Sequence, residues 1–374
     1  MENKICLYLI GYEKDAHYVP ALIESVKNAV DCVFYLNTDD SVQTVKALEN
    51  ECKKHNISFS YFYKSEWPDG FHFGKARNKA KEIAEQTFSC NWFLWLDLDD
   101  VLINPEQLRE LAKDETVQAW HFEYKVHGTG YFTRERMTRR GVGTWVNRVH
   151  EILKIPQDTP QAIAKGIHVL HTKETKNDPS EKSSHDLHIE LCKKEIENAP
   201  NYYLYIGKEY FNSQRPVEAK KWFTMGLAMT ECPLEKYNTL IYLSKIAGFE
   251  KDINTQRFYL KQAFEENPSR RESLYYLAVI ETTSGKHERA LAFIRACCAL
   301  PKPSTPMLEE SLYDGAEPLV LFYRLLARLM QYNESFEVAK TYIESQQQKG
   351  DIEMEILREA KILTMLIEEE STEG

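Results

Sequence analysis

No stretch of this 374-residue chain approaches the roughly twenty apolar residues that cross a bilayer. The start, Met1-Glu2-Asn3-Lys4-Ile5-Cys6, carries an acid early and has no long apolar core, so no secretory signal is read there. A cytoplasmic chain without a membrane span is the expectation. The eight cysteines (Cys6, Cys32, Cys52, Cys90, Cys192, Cys232, Cys297, Cys298) form no Cys-x-x-Cys pair, which argues against a structural zinc site and for reduced thiols. Positive charge is also short: the formal net charge is -10. Such a balance disfavours a protein held on nucleic acid by phosphate contacts. What is present is ordinary for a globular protein of two or three domains, 43% hydrophobic and 28% charged.

The first hundred residues alternate in period. Ile5 to Ile10 is a short apolar run ending at Gly11. Val19 to Ala29 then places Leu22, Ile23, Val26 and Ala29 at helical spacing. Val33 to Leu36 reads as a second strand, Val42 to Cys52 as a second helix, and Ser58 to Tyr63 as a third strand. This alternation indicates a doubly wound parallel sheet, with Gly11, Asn37 and Asp39 along the rim where such sheets bind ligands. A helix from Gly74 carries Ala76, Ala80, Ile83 and Ala84 inward. Arg77 in its first turns is poorly placed for the helix dipole, so it is expected to meet an anion or an acid.

The stretch Asn91 to Leu102 is the centre of the chain. Its apolar first half suits a strand buried on both faces. Asp97, Asp99 and Asp100 follow at once. On an extended backbone Asp97 and Asp99 point the same way, and such a pair repels itself unless a cation or solvent intervenes. A magnesium-type ion carrying substrate phosphates would resolve the repulsion. The plain alternative is that Asp99 or Asp100 caps a helix starting near Asn104-Pro105.

Further on, Val117 to Val126 alternates like an antiparallel edge strand. Thr133 to Arg148 gathers Arg134, Arg136, Arg139, Arg140 and Arg148, which suits a diphosphate or an acidic acceptor, or else a solvated loop. Of His150 and Glu151, which point oppositely if extended, one at most faces a substrate. Ile167 to His171 is an apolar strand whose terminal His171 could be a metal ligand through imidazole. Lys173 to Ser184 reads as a polar loop or lid. From Asp186 onward the period is helical, with turns near Pro200, Pro233, Pro268 and Pro301. That spacing of roughly 34 residues signals a repeat array.

Gly74-Lys-Ala-Arg-Asn78, then a helix, then Trp92-Phe-Leu-Trp-Leu-Asp-Leu-Asp-Asp100 resembles family 2 glycosyltransferases of the nucleotide-diphospho-sugar transferase (GT-A) α/β fold, over roughly residues 4 to 175. The resemblance implies a Mn2+ or Mg2+ cofactor and a nucleoside-diphosphate sugar as donor. Asp97 and Asp99 match the family's DxD motif, Asp99 holding the metal and Asp97 facing metal or ribose. Arg77 matches an arginine near the nucleotide, and Ile10, Gly11 and Tyr12 would lie beneath base or ribose. The family's second strand often ends in an acid that reads uracil. Here Asn37 stands in its place, followed by Thr38 and Asp39, and an amide both donates and accepts at a base edge. Val149-His150-Glu151 matches the acceptor side, which makes Glu151, with His150 as the alternative, the base that deprotonates the acceptor.

Tyr205, Ala219 and Phe223 resemble a tetratricopeptide helix pair, and Tyr276, Ala290 and Phe293 repeat the offsets. The unit between them is weaker, with Thr255 in place of the small alanine. Phe322 to Ile343 reads as a last pair. The domains are therefore drawn as 1–175 transferase, 176–198 connector, 199–367 tetratricopeptide-like repeats and 368–374 disordered tail. The array is expected to bind peptides, to form a homodimer or simply to brace the first domain. The combination is similar to bacterial peptide S-glycosyltransferases. The expected activity is metal-dependent, inverting sugar transfer to a peptide side chain or a cell-surface glycan precursor. The rivals are an inactive scaffold and a transferase acting on modified nucleic acid.

Overall fold

The computed structural model describes residues 3–126, 130–172, 179–196, 201–301, 316–347 and 354–373. The chain divides into two compact units, Met1–Glu195 and Ile196–Gly374.

The first unit is built on an eight-stranded sheet of order β3-β2-β1-β4-β7-β6-β10-β5. The strands β1 (Ile5–Gly11), β2 (Cys32–Asn37), β3 (Ser58–Tyr63) and β4 (Trp92–Trp95) are mutually parallel. The remainder are β5 (Asp100–Ile103), β6 (Ala119–Val126), β7 (Gly130–Arg139) and β10 (Gln161–His171). A separate hairpin pairs β8 (Thr144–Val146) with β9 (Ile152–Lys154).

Every residue of β1, β2 and β4 is buried, because both faces of the sheet are covered. On one face Leu7, Leu9, Val33 and Leu94 pack with Leu22, Ile23 and Val26 of α1 (Val19–Val26) and with Val45 and Leu48 of α2 (Gln43–Lys54). On the other, Tyr8, Phe34, Phe93 and Trp95 pack with Ala76, Ala80 and Ala84 of α3 (Phe73–Thr87) and with Trp145. That two-sided burial is why these strands read as continuous apolar runs rather than alternating ones.

Four expectations are corrected here. The strand expected at Val117 to Val126 is not an edge: β6 lies between β7, antiparallel to it, and β10, parallel to it. Both partners come from later in the chain, so local alternation does not reveal them. The basic segment, for which a solvated loop is one alternative, is not a plain loop: its first part, 133–139, belongs to β7, which joins β4 to β6, and 144–146 form β8. Neither Asp99 nor Asp100 caps a helix. The helix that follows, α4, is Gln107–Leu111, with Glu106 at its N-cap, and Asp100 opens β5. The polar loop expected from Lys173 lies outside the described residues only as far as 178, and α5 runs helically from Pro179 to Glu195.

The second unit is a row of antiparallel helix pairs: α6 (Tyr202–Asn212) with α7 (Pro216–Met229), α8 (Pro233–Phe249) with α9 (Ile253–Glu266), and α10 (Glu272–Thr283) with α11 (His287–Ala299). Then come α12 (Ala316–Arg328) with α13 (Tyr332–Gln347), and α14 (Met354–Glu373). The small residues at the repeat offsets, Ala219, Ala290 and Ala339, have no exposed surface. In the weaker pair, which has Thr255 at that offset, the fully buried alanine is Ala263. The tail expected to be disordered continues α14 helically to Glu373.

Candidate functional site

The parallel strands β1, β2 and β4 end at one rim. Register sets Gly11 beside Asn37 and Tyr8 beside Trp95. The two rim loops are fastened to each other. Thr38 donates to the Gly11 carbonyl from both its amide and its hydroxyl, each at 2.9 Å, and Glu13 N donates to Asp39 Oδ2 at 2.8 Å. Asn37 is fully buried, donates from Nδ2 to the Ser41 carbonyl and accepts from Asp39 N at 3.3 Å. Its amide therefore serves the turn and offers no surface to a base. Ile10 is nearly buried, whereas Tyr12 is exposed at the rim.

Past Trp95 the chain leaves the extended conformation and turns at Leu98 and Asp99. The two acids therefore do not share one face of a strand, and the structure separates them. Asp100 N donates to the Asp97 carbonyl at 3.1 Å, and Asp97 N donates back to Asp100 Oδ2 at 3.0 Å. Leu98 packs directly over Gly11: a Cβ on Gly11 would stand 2.3 Å from Leu98 Cδ1.

Asp97 turns to Arg77. Arg77 Nη2 donates to Asp97 Oδ1 and Arg77 Nε to Glu151 Oε1, both at 2.6 Å. The guanidinium lies between two indoles, 4.7 Å from the Trp95 ring and 5.0 Å from Trp145. This answers the misplaced arginine near a helix start: it meets two acids. Burial alone would lower the Arg77 pKa, but Asp97 and Glu151 outweigh it and raise it. Burial would likewise raise the Asp97 carboxyl, yet the Arg77, Arg136 and Arg134 guanidiniums hold it down at about 2. The start of α3 is closed to anions, since Phe73 N and Gly74 N donate to the carbonyls of Arg148 and Asn147. A Cβ on Gly74 would come 2.5 Å from that Asn147 carbonyl oxygen. Asn78 pairs both ends of its amide with the Trp145 backbone at 2.8 Å, which fixes β8 against α3.

Asp99, Asp100 and His171 form a second group. The β10–β5 ladder sets His171 opposite Asp100. His171 Nδ1 lies 3.2 Å from Asp100 Oδ1 and 3.6 Å from Asp99 Oδ1. Burial would lower the His171 pKa, but Asp100 and Asp99 prevail and raise it. Asp100 has no exposed surface, and its Oδ2 also faces Arg136 Nη1 at 3.3 Å.

Arg136 is fully buried too, 3.8 Å from the Trp95 ring and 4.4 Å from Tyr124. It is the extra residue of a β-bulge: Met137 pairs with Trp120 and Glu135 with His121, leaving Arg136 unpaired. Bulges of this kind re-aim side chains next to functional sites. Arg134 stacks on the same indole at 4.9 Å and donates to the Glu151 carbonyl at 3.0 Å. Arg77, Arg134 and Arg136 meet Asp97, Asp100, Glu135 and Glu151, and Asp99 stands beside His171. Carboxylates outnumber guanidiniums, and the imbalance suits a dication.

His150 is not extended. Its φ of +52° turns it away from the strand geometry assumed from sequence, and its ring sits 5.7 Å from that of His188. The acid site thus takes in Glu151, while His150 belongs with α5. Sequence reasoning gave no site role to Trp95 or Trp145, read Asp100 as a motif acid or a cap, and named Arg136 only within the basic cluster. A usable signal was present for one of them, since Arg134 and Arg136 recur at strand period beside an acid motif.

No family model matches the chain, and no curated protein sequence matches it. Solved structures similar to parts of it include the crystal structure of MamA, with TM-score 0.37, 14% identity, and coverage of 48% of this chain and 98% of that one. Another is YrrB, described as a TPR protein with an unusual peptide-binding site, with TM-score 0.35, 17% identity, and coverage of 49% and 86%. At these scores neither likeness bears on function. The helical-repeat character of the second unit stands on its own helix pairs. No described helix is long and apolar enough to cross a membrane.

Proposed function

We propose that the chain is a divalent-cation-dependent glycosyltransferase. It takes a sugar from a nucleoside-diphosphate sugar and places it on a peptide side chain or a cell-surface glycan precursor. The observation that carries this reading is the convergence, past the carboxyl end of β4, of the Asp97–Asp100 turn with Arg77, Glu151 and His171. Ligand sites of open α/β sheets lie at such strand ends. The donor set of carboxylates and an imidazole fits Mn2+ or Mg2+, with Asp99 and His171 as holders. The ion would counter the charge of the donor's diphosphate.

The chain's own residues supply the rest. Glu151 is the group to receive the acceptor's proton, on the oxygen that Arg77 does not hold. Arg77 fixes its position and is itself fixed by the two indoles. Arg134, about a quarter exposed, is placed to meet the oxygens of a departing diphosphate. The rim at Ile10, Gly11 and Tyr12 is the bed for the nucleoside. Asn37 and Asp39 shape that bed through their turn rather than by reading the base.

The second unit favours a peptide acceptor. Lys208 lies 5.8 Å from the rings of Tyr205 and Tyr242, and Lys245 lies 5.5 Å from Tyr242 and 5.7 Å from Tyr276. This alternating stripe crosses the first helices of three pairs and suits an acidic segment. It would equally serve a scaffold that binds partners without chemistry.

Turnover of a nucleotide-sugar panel with Mn2+, read as nucleoside diphosphate released, separates enzyme from scaffold. Activity that EDTA removes, and that falls at least a hundredfold in Asp99→Asn, is expected. No turnover and no donor-induced thermal shift with any donor would sink the enzyme reading.

A further inference from the structure

The register that faces His171 with Asp100 brings three ligand atoms together. One carboxylate oxygen each of Asp99 and Asp100 and one ring nitrogen of His171 lie within 4.8 Å of one another. Two ligands held by one first-row dication at roughly 2.1–2.2 Å stand about 3.0–3.5 Å apart, from octahedral to tetrahedral geometry. The observed separations from His171 Nδ1, 3.2 Å and 3.6 Å, fall in or beside that range. A simple imidazole–carboxylate hydrogen bond would account for the first distance but not the second, which is too long to be one.

The carboxylate of Asp100 is oriented for this. Its Oδ2 accepts from the Asp97 amide and faces Arg136, which turns Oδ1 toward His171. Arg136 itself is wholly buried, and its Nε and Nη2 have no hydrogen-bond partner. A buried guanidinium with unspent donors is costly. Its place on the bulge beside Asp100 is therefore not explained by packing alone. Asp97, by contrast, is spent on Arg77 at 2.6 Å.

We infer that the cation centre of this chain is Asp99, Asp100 and His171, with Arg136 as the residue that positions Asp100 and with Asp97 outside the ligand set. The inference rests on the proposed need for a divalent cation and assigns its ligands anew. Asp97 then keeps the Arg77–Glu151 bracket in place while the ion is bound by its neighbours. A nitrogen in the set favours Mn2+ and Co2+ over Ca2+.

The test is Mn2+ binding to the full chain, followed by loss of the free-ion EPR signal, together with pulsed EPR for 14N coupling from a coordinated imidazole. Wild type is expected to bind one Mn2+ with 14N coupling. His171→Asn should abolish the coupling, and Asp99→Asn and Asp100→Asn should each weaken binding at least tenfold. Asp97→Asn should change it by less than about threefold. Arg136→Met should weaken binding and Arg136→Lys restore part of it. Thermal melts identify variants that fail to fold, and the 14N signal of the wild type does not depend on any variant. Mn2+ bound without 14N coupling, or a folded Asp100→Asn that binds like wild type, overturns the ligand set alone. A wild type that binds no Mn2+ overturns both this inference and the cation dependence of the proposed function. A wild type with 14N-coupled Mn2+ but no nucleotide-sugar turnover supports the ligand set and removes only the transferase reading.

Discussion

Gly11→Ala should disturb the acid turn from across the sheet, and the disturbance should vanish when Leu98 is shortened. A Cβ at position 11 would sit 2.3 Å from Leu98 Cδ1, where ordinary contact begins near 3.4 Å. Leu98 is nearly buried within the core that includes Leu7 and Leu9, so its side chain has little room to swing away. Overpacking of this kind costs about 1–3 kcal/mol. Leu98→Ala alone removes buried methyl groups and should cost about 2–4 kcal/mol. In the double variant the clash is gone. Gly11 has no positive φ, so alanine there should be neutral or gain up to about 0.5 kcal/mol. The two changes should therefore couple by about 2 kcal/mol. Urea unfolding followed by tryptophan fluorescence measures this, since five of the six tryptophans (Trp67, Trp92, Trp95, Trp120, Trp145) lie in the first unit. Mn2+ affinity should fall in Gly11→Ala and recover in the double variant, because Leu98 lies between Asp97 and Asp99. Additive costs within about 0.5 kcal/mol would refute the contact between the two residues.

Three further outcomes follow from other contacts. Gly74→Ala should be worse than Gly11→Ala, by about 1 kcal/mol or more, because its Cβ meets the Asn147 backbone carbonyl rather than a side chain end; equal unfolding midpoints would contradict this. The Asp97 carboxyl, held at about 2 against an ordinary 3.8, contributes stability that is present above pH 4 and is lost as pH falls from 4 toward 2. That is up to about 2 kcal/mol, nearer 1 after allowing for solvent at a side chain one-third exposed, and Arg77→Met should flatten this acid limb in a stability–pH titration. Burial lowers the Lys208 ammonium to about 8, so Lys208→Met should raise the unfolding midpoint at pH 7. The folded charge is penalised only below that pKa, and above the unfolded value both states are neutral, so the gain should shrink as pH rises from 8 to 10; a gain that grows instead would refute the burial argument.

The parts of the fold that were legible in sequence are those whose partners cover both faces. The runs at Ile5, Val33 and Trp92 announce buried strands, and alanines at helical spacing announce α3. The helix pairs were legible through Ala219 and Ala290, where a small residue at a fixed offset permits close packing. What escaped was set by pairing between distant segments. Nothing local in Val117 to Val126 tells that β10 lies along one side of it. Asp100 looked dispensable because its partners, His171 and Arg136, arrive 71 and 36 residues later. The shared direction of Asp97 and Asp99 failed for a different reason: the chain turns at Leu98, so a rule for extended backbone did not apply. Arg77, read as seeking an anion or an acid, meets Asp97 and Glu151.

The bulge at Arg136 makes this site sensitive to length as well as to identity. It is one residue more than the ladder with β6 requires. A deletion at that point would let the two strands pair without interruption, and by the usual measure the sheet would improve. The flanking pairs would keep their partners, Met137 opposite Trp120 and Glu135 opposite His121, so no side chain beyond the deletion would change face. What would go is Arg136 alone, together with the local twist that aims it at Asp100. A variant that gains sheet regularity in this way should fold well and bind the cation more weakly, so in this strand regular pairing and site chemistry are opposed.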